Sequence, residues 1–333
     1  MTSTYINTNN SDDWVLSFWL QRGGIADRPE LQDSMTLQFF DSGGNWITVR
    51  TFAGMPANQP FSVRDTFKFY SEPITEDYQH SRFQFRFVNY ADRSGFRDNW
   101  HLDYVRLDNN PTASNVFNDI AFMRQPDYML RNYSSMPWRH FRAAIADELA
   151  PTIDVGVYNH FLSAQNASPS VFSLEELNTG VNALGVQPTL FNGVEVNLPN
   201  GVPINRTYNL MGDATGFANV WPNLTNNLGS GSFDSFDKLD FRTRYTLNNN
   251  SQGSQTFVGQ NDMVERTTHF GDYFAYDDGT AESALETSAG RQVAVAYHAN
   301  VADTLRGVRI HFPHTSDDYS NQDFRLRVWL GIG

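Results

Sequence analysis

Residues 82–88 read Arg-Phe-Gln-Phe-Arg-Phe-Val, so that Phe83, Phe85 and Phe87 alternate with Gln84 and Arg86. Successive side chains of an extended chain point to opposite faces, which makes this stretch a strand with one aromatic face and one wet face. Residues 34–40 repeat the pattern with Met35, Leu37 and Phe39. Two such strands bury their apolar faces when they become the facing layers of a sandwich, so these six side chains are expected to point into one inter-sheet core. Working outward, residues 15–20, 46–52, 63–69 and 100–107 offer further strand-like runs. Gly23-Gly24, Asp41-Ser42-Gly43-Gly44 and residues 55–60 and 92–99 separate them with turn chemistry. The expected fold class is all-β, in consecutive antiparallel β-sandwich domains of jelly-roll or Ig-like type with one short helix.

That helix is expected near residues 138–149, where Trp138, Phe141, Ile145 and Leu149 recur at helical spacing after Ser134, Ser135 and Pro137 and before Pro151. Short strands are expected at residues 153–158, 194–198 and 239–247, and a last group at 270–276, 291–298, 305–312 and 324–330. The boundaries that follow are a jelly roll over residues 1–110, a linker helix with an Ig-like β-domain over 111–262, and a β-sandwich domain over 263–333 with too few strands to close. The 333 residues suffice for two or three such domains.

Composition removes several function classes. A net charge of −13 disfavours nucleic acid and anionic membrane surfaces as partners. No cysteine is present, which excludes disulfides, thiolate metal sites and cysteine nucleophiles. The N-terminus lacks the basic and apolar regions of a signal peptide, and no apolar run is long enough for a membrane span. His-Glu-x-x-His, Gly-x-Ser-x-Gly and phosphate-loop motifs are all absent, so the chain reads as non-enzymatic.

Residues 2–6, 16–24, 29–39, 83–90 and 98–105 together resemble the MAM-like, concanavalin A-like jelly-roll module of large Bacteroidetes surface proteins exported by the type IX secretion system. Residues 273–282 (Tyr-Phe-Ala-Tyr-Asp-Asp-Gly-Thr-Ala-Glu) resemble a second motif of the same group. The resemblance implies a secreted or outer cell-surface setting and a fragment of a larger protein. It supports a structural or adhesive module that binds a glycan or protein; the alternative is a set of accessory domains serving a secreted hydrolase whose catalytic domain lies elsewhere.

Strict alternation over residues 100–107 puts Asp103 on the apolar side with Val105 and Leu107, where a buried carboxylate needs hydrogen bonds, an Arg or a cation. The resemblance adds that related jelly rolls often hold a structural Ca²⁺ beside an acid in this final strand, which makes Asp103 the metal candidate. Among Trp14, Trp19, Trp46 and Trp100, Trp46 follows a turn and is the candidate for an exposed, ligand-binding indole. Asp12-Asp13, Asp277-Asp278 and Asp317-Asp318 read as turn-formers, and His311 with His314 as strand-end histidines. Asp33-Ser34-Met35 and Asp303-Thr304-Leu305 resemble short O-glycosylation sites of Bacteroidetes.

Overall fold

The computed structural model describes residues 1–9, 13–24, 27–56, 65–92, 97–109, 119–166, 168–191, 197–211, 217, 219–236, 238–248, 261–280, 290–312 and 321–330. They form mostly antiparallel β-sheet with short helices, the all-β class expected. The chain divides into two units, one of Met1–Asn115 with Ala281–Gln292 and Gly307–Gly333, the other of Val116–Thr280 with Val293–Arg306. Among the described residues no helix is long and apolar enough to cross a membrane.

The first unit is built on β1 (Val15–Arg22), β2 (Ser34–Phe40), β3 (Trp46–Ala53), β4 (Lys68–Pro73), β5 (Phe85–Tyr90) and β6 (Trp100–Asp108). One sheet has the order β4-β1-β6 and the other β3-β2-β5, with all pairs antiparallel. Alternation explains the core between them. Met35, Leu37 and Phe39 of β2 and Phe83, Phe85 and Phe87 are buried as expected, and Leu16, Phe18 and Leu20 of β1 cluster with them. Phe18 meets Phe87 edge to face at 4.9 Å, the arrangement aromatic quadrupoles favour. The segment before β1 runs along β5, where Ser3 and Ile6 donate backbone hydrogen bonds to Phe85 and Phe83. The strand expected at 63–69 instead begins at Lys68, which places Tyr70 against Phe18 and Phe52.

The second unit adds β7 (Ile120–Phe122), β8 (Thr152–Asn159), β9 (Gln165–Asn166), β10 (Ser168–Glu176), β11 (Val181–Asn182), β12 (Thr189–Leu190), β13 (Asn197–Leu198), β14 (Pro203–Asn209), β15 (Leu239–Asn248) and β16 (Met263–Phe270). Its largest sheet runs β11-β10-β15-β16 with β12 also on β10, and a second runs β14-β8-β7. Their facing residues, among them Val155, Val157, Phe172, Leu174 and Phe241, share one core. Because β16 pairs with β15 along eight residues, the expected boundary between residues 262 and 263 cuts through a sheet and is corrected. The helix expected near 138–149 is two short ones, α1 (Trp138–Ala143) and α2 (Ile145–Glu148), broken at Ala144 with φ −146°. Ser134 and Ser135 do not cap α1; their hydroxyls bond the carbonyls of Ala275 and His269. A further helix, α3 (Val220–Gly229), was not expected, and buries Val220, Leu224 and Leu228.

Residues 291–298, 305–312 and 324–330 were expected as strands, yet none of them is assigned to one. Val293, Val295, Tyr297, Val308, Ile310, Phe324, Leu326 and Val328 are exposed. Alternation supplies a face, but a strand also needs a neighbour for its ladder. Asp12, His314, Asp317, Asp318 and the 281–282 end of the second resemblance motif lie outside the described residues.

Glu176 gives this unit a pH-sensitive joint at the end of β10. Its buried carboxylate accepts hydrogen bonds from the backbone and side chains of both Asn178 and Thr179. Burial alone would raise its pKa, but these donors together hold it below the ordinary glutamate value. Its stabilisation is therefore full above the ordinary value of 4.5 and is lost as pH falls through the lower folded one. Glu176→Gln is expected to lower stability at pH 7 by about 1–3 kcal/mol. The urea midpoint of the variant should also fall less steeply than the parent's between pH 5 and pH 3, about the carboxylate range. Parallel profiles would remove this role.

Candidate functional site

The register of β6 decides where its acid points. Leu102 pairs with Leu20 and Asp103 with Trp19, but the next pairs are Arg106 with Ser17 and Leu107 with Leu16. Tyr104 and Val105 thus oppose Phe18 alone, a β-bulge in which Tyr104 takes the left-handed φ of 47°. The bulge reverses the alternation midway along the strand. Leu102, Val105 and Leu107 all pack on the core, while Asp103 turns outward and is exposed. Its Oδ1 accepts the Tyr104 N–H at 2.8 Å. The expected burial of Asp103 is corrected, and with it the reason to place Ca²⁺ or an Arg beside this carboxylate.

What Asp103 faces is an aromatic pair on the outer side of sheet β4-β1-β6. Trp19 lies directly across from it, and Phe69 lies across Trp19 on β4. The Trp19 and Phe69 rings are 5.6 Å apart at 63°. Both rings are half-buried, and the indole Nε1 of Trp19 has no hydrogen-bond partner. Gln21 and His101 form the next cross-strand pair on this face.

Trp46 opens β3 on the other sheet and is half-buried rather than fully exposed. Its ring lies 5.1 Å from that of Phe40, and the Arg86 guanidinium sits 4.2 Å from its centroid, a cation–π contact. Arg86 is fixed in turn by the bond from its Nε to Gln38 Oε1 at 2.6 Å. One indole face is therefore occupied by protein. Trp14 and Trp100 pack against the core.

The fold brings together a third group of residues that the sequence does not connect. Glu30 and Asp33 close a tight turn before β2, where the Glu30 N–H donates to Asp33 Oδ2 at 2.7 Å and the Asp33 N–H to the Glu30 carbonyl at 3.0 Å. This turn is fastened to residues 54–55, since Gly54 donates to the Asp33 carbonyl and Met55 to that of Pro29. Asp98, with φ 59°, stands just before β6, and its Oδ2 accepts the Asp92 N–H at 3.0 Å. One carboxylate oxygen from each of Glu30, Asp33 and Asp98 lies within 4.8 Å of the others. Asp98 is 2% exposed, and its Oδ1 has no hydrogen-bond partner. Burial first, then the adjacent Glu30 and Asp33, push its carboxyl up to about 7. Three acids in one place repel until a proton or a cation neutralises them.

Two groups in the second unit have structural explanations. Asp277 and Asp278 cap their own turn, accepting N–H bonds from Gly279 and Thr280. Asp303 receives Arg139 and the buried His140, whose Nε2 is 2.9 Å away; Arg139 first and His140 second hold its carboxyl well below the usual range. His311 is exposed. No protein-family model matches this chain, and no curated protein matches it.

Proposed function

We propose that the chain is a non-enzymatic structural or adhesive module of a secreted or outer cell-surface protein, and that it binds a neutral glycan on the outer face of sheet β4-β1-β6. One observation carries the reading: the bulge at Tyr104 sets an exposed carboxylate, Asp103, across the strands from the Trp19–Phe69 pair. An aromatic surface takes up the C–H face of a pyranose, and an adjacent carboxylate accepts its hydroxyl protons. A non-glycine residue held at positive φ costs free energy, and such strain gathers where a side chain must be aimed. The net charge of −13 favours a neutral sugar over an acidic one. The MAM-like resemblance of the strand segments supports the surface setting.

Affinity electrophoresis through soluble glucan, mannan, galactan and xylan tests this reading. The parent should be retarded by at least one of these polymers. Trp19→Ala and Asp103→Asn should each weaken binding about tenfold or more, equivalent to roughly 1.4 kcal/mol. Trp46→Ala should leave it unchanged. Absence of retardation in all four gels, or variants that bind like the parent, would remove the proposal.

A further inference from the structure

We propose that Glu30, Asp33 and Asp98 form a binding site for one divalent cation, Ca²⁺, which fastens the turn before β2 to the residues leading into β6. The inference is independent of the glycan face. Its first support is convergence: three carboxylates from two separate connections bring one oxygen each to within 4.8 Å of one another. Mutual repulsion opposes such a grouping unless a positive charge sits among them. None of the three forms an ion pair with Lys or Arg among the described residues.

The second support is independent of the clustering. Asp98 is 2% exposed and Asp33 7%, so water reaches them poorly; Asp98 brings a carboxylate oxygen into this cluster and its Oδ1 has no donor. A buried carboxylate oxygen without a donor is costly, and a metal ion would satisfy it. Asp98 Oδ2 is already committed to the Asp92 N–H, and one Asp33 oxygen to the Glu30 N–H. These bonds hold the two carboxylates in place, as outer partners hold metal ligands.

The donor set selects the ion. All three ligands are carboxylate oxygens, which suits a hard cation such as Ca²⁺ and disfavours Zn²⁺ or Cu²⁺, whose sites use imidazole or thiolate. Ca²⁺ tolerates an irregular shell completed by carbonyls and water, whereas Mg²⁺ requires a near-octahedral one.

Calorimetric titration of the full chain, stripped with EDTA and then dialysed free of it, provides the test. CaCl₂ should bind at one site per chain and raise the melting temperature, with MgCl₂ binding more weakly. Asp98→Asn should weaken Ca²⁺ binding about tenfold or more, yet melt at or above the parent's temperature without Ca²⁺, because a buried repelling charge is gone. Glu30→Gln, at a half-exposed position, should weaken binding in the same direction and serves if Asp98→Asn fails to fold. Absence of binding heat at millimolar CaCl₂ would overturn the proposal in favour of a shared proton, as would undiminished binding by either folded variant.

Discussion

Phe241→Ala should cost about 3–5 kcal/mol of stability, the usual range for truncating a buried phenylalanine. Phe241 is fully buried in β15 at the centre of the second unit's aromatic cluster. Its ring lies 5.4 Å from that of Phe233, 5.7 Å from Phe270 and 5.9 Å from Trp138. These neighbours come from β16, α1 and the chain after α3, so no single element can move into the vacated space. The lost contacts and the residual cavity therefore add. Urea denaturation with hydrogen exchange as the local readout should show protection falling first in β10, β15 and β16. A loss below about 1 kcal/mol would mean that this cluster collapses around the gap, as loosely packed sites can.

Gly54→Ala should be nearly as damaging for a different reason. A Cβ built at Gly54 would stand 1.7 Å from the Glu30 carbonyl oxygen and 2.9 Å from that of Pro29. Both are backbone atoms, held by the parallel bridge between Glu30 and Met55, and cannot rotate away as a side chain could. The expected loss is about 3 kcal/mol, at the upper end of overpacking effects. In a thermal melt this corresponds to a fall of roughly 10 °C or more. Gly307→Ala, with nothing within 4 Å of the added Cβ, serves as the control and should leave the melt unchanged. Equal melts for both variants would refute the close approach at Gly54.

The cores were legible where period and pairing agree. Met35, Leu37, Phe39, Phe83, Phe85 and Phe87 alternate without interruption, and all six are buried. Asp103 shows where that reading fails: one extra residue in β6 reverses the faces, and Asp-Tyr-Val carries no glycine to announce the bulge. The helix α3 was hidden because its buried residues fall only every fourth position, at 220, 224 and 228, within Asn-rich sequence containing Pro222. For residues 291–298 and 324–330 the alternation was real, but nothing in a local pattern names a partner strand. The acidic group was invisible for a related reason. Glu30, Asp33 and Asp98 share no motif in the sequence, and only the fold brings the third to the first two.

The position of β1 at the centre of its sheet also bears on how the chain is made. It emerges from the ribosome before either of its neighbours, and Leu20 must wait for Leu102 before its second ladder can form. At about 5–20 residues per second, those 80 or so residues take roughly 4–16 s to synthesise. For that interval Leu16, Phe18 and Leu20 have no completed core to enter, and the nascent chain presents a sticky apolar edge to whatever is nearby. A central strand encoded early thus moves the hazard of this fold from the finished molecule to its biosynthesis, where chaperone capacity rather than native stability governs yield.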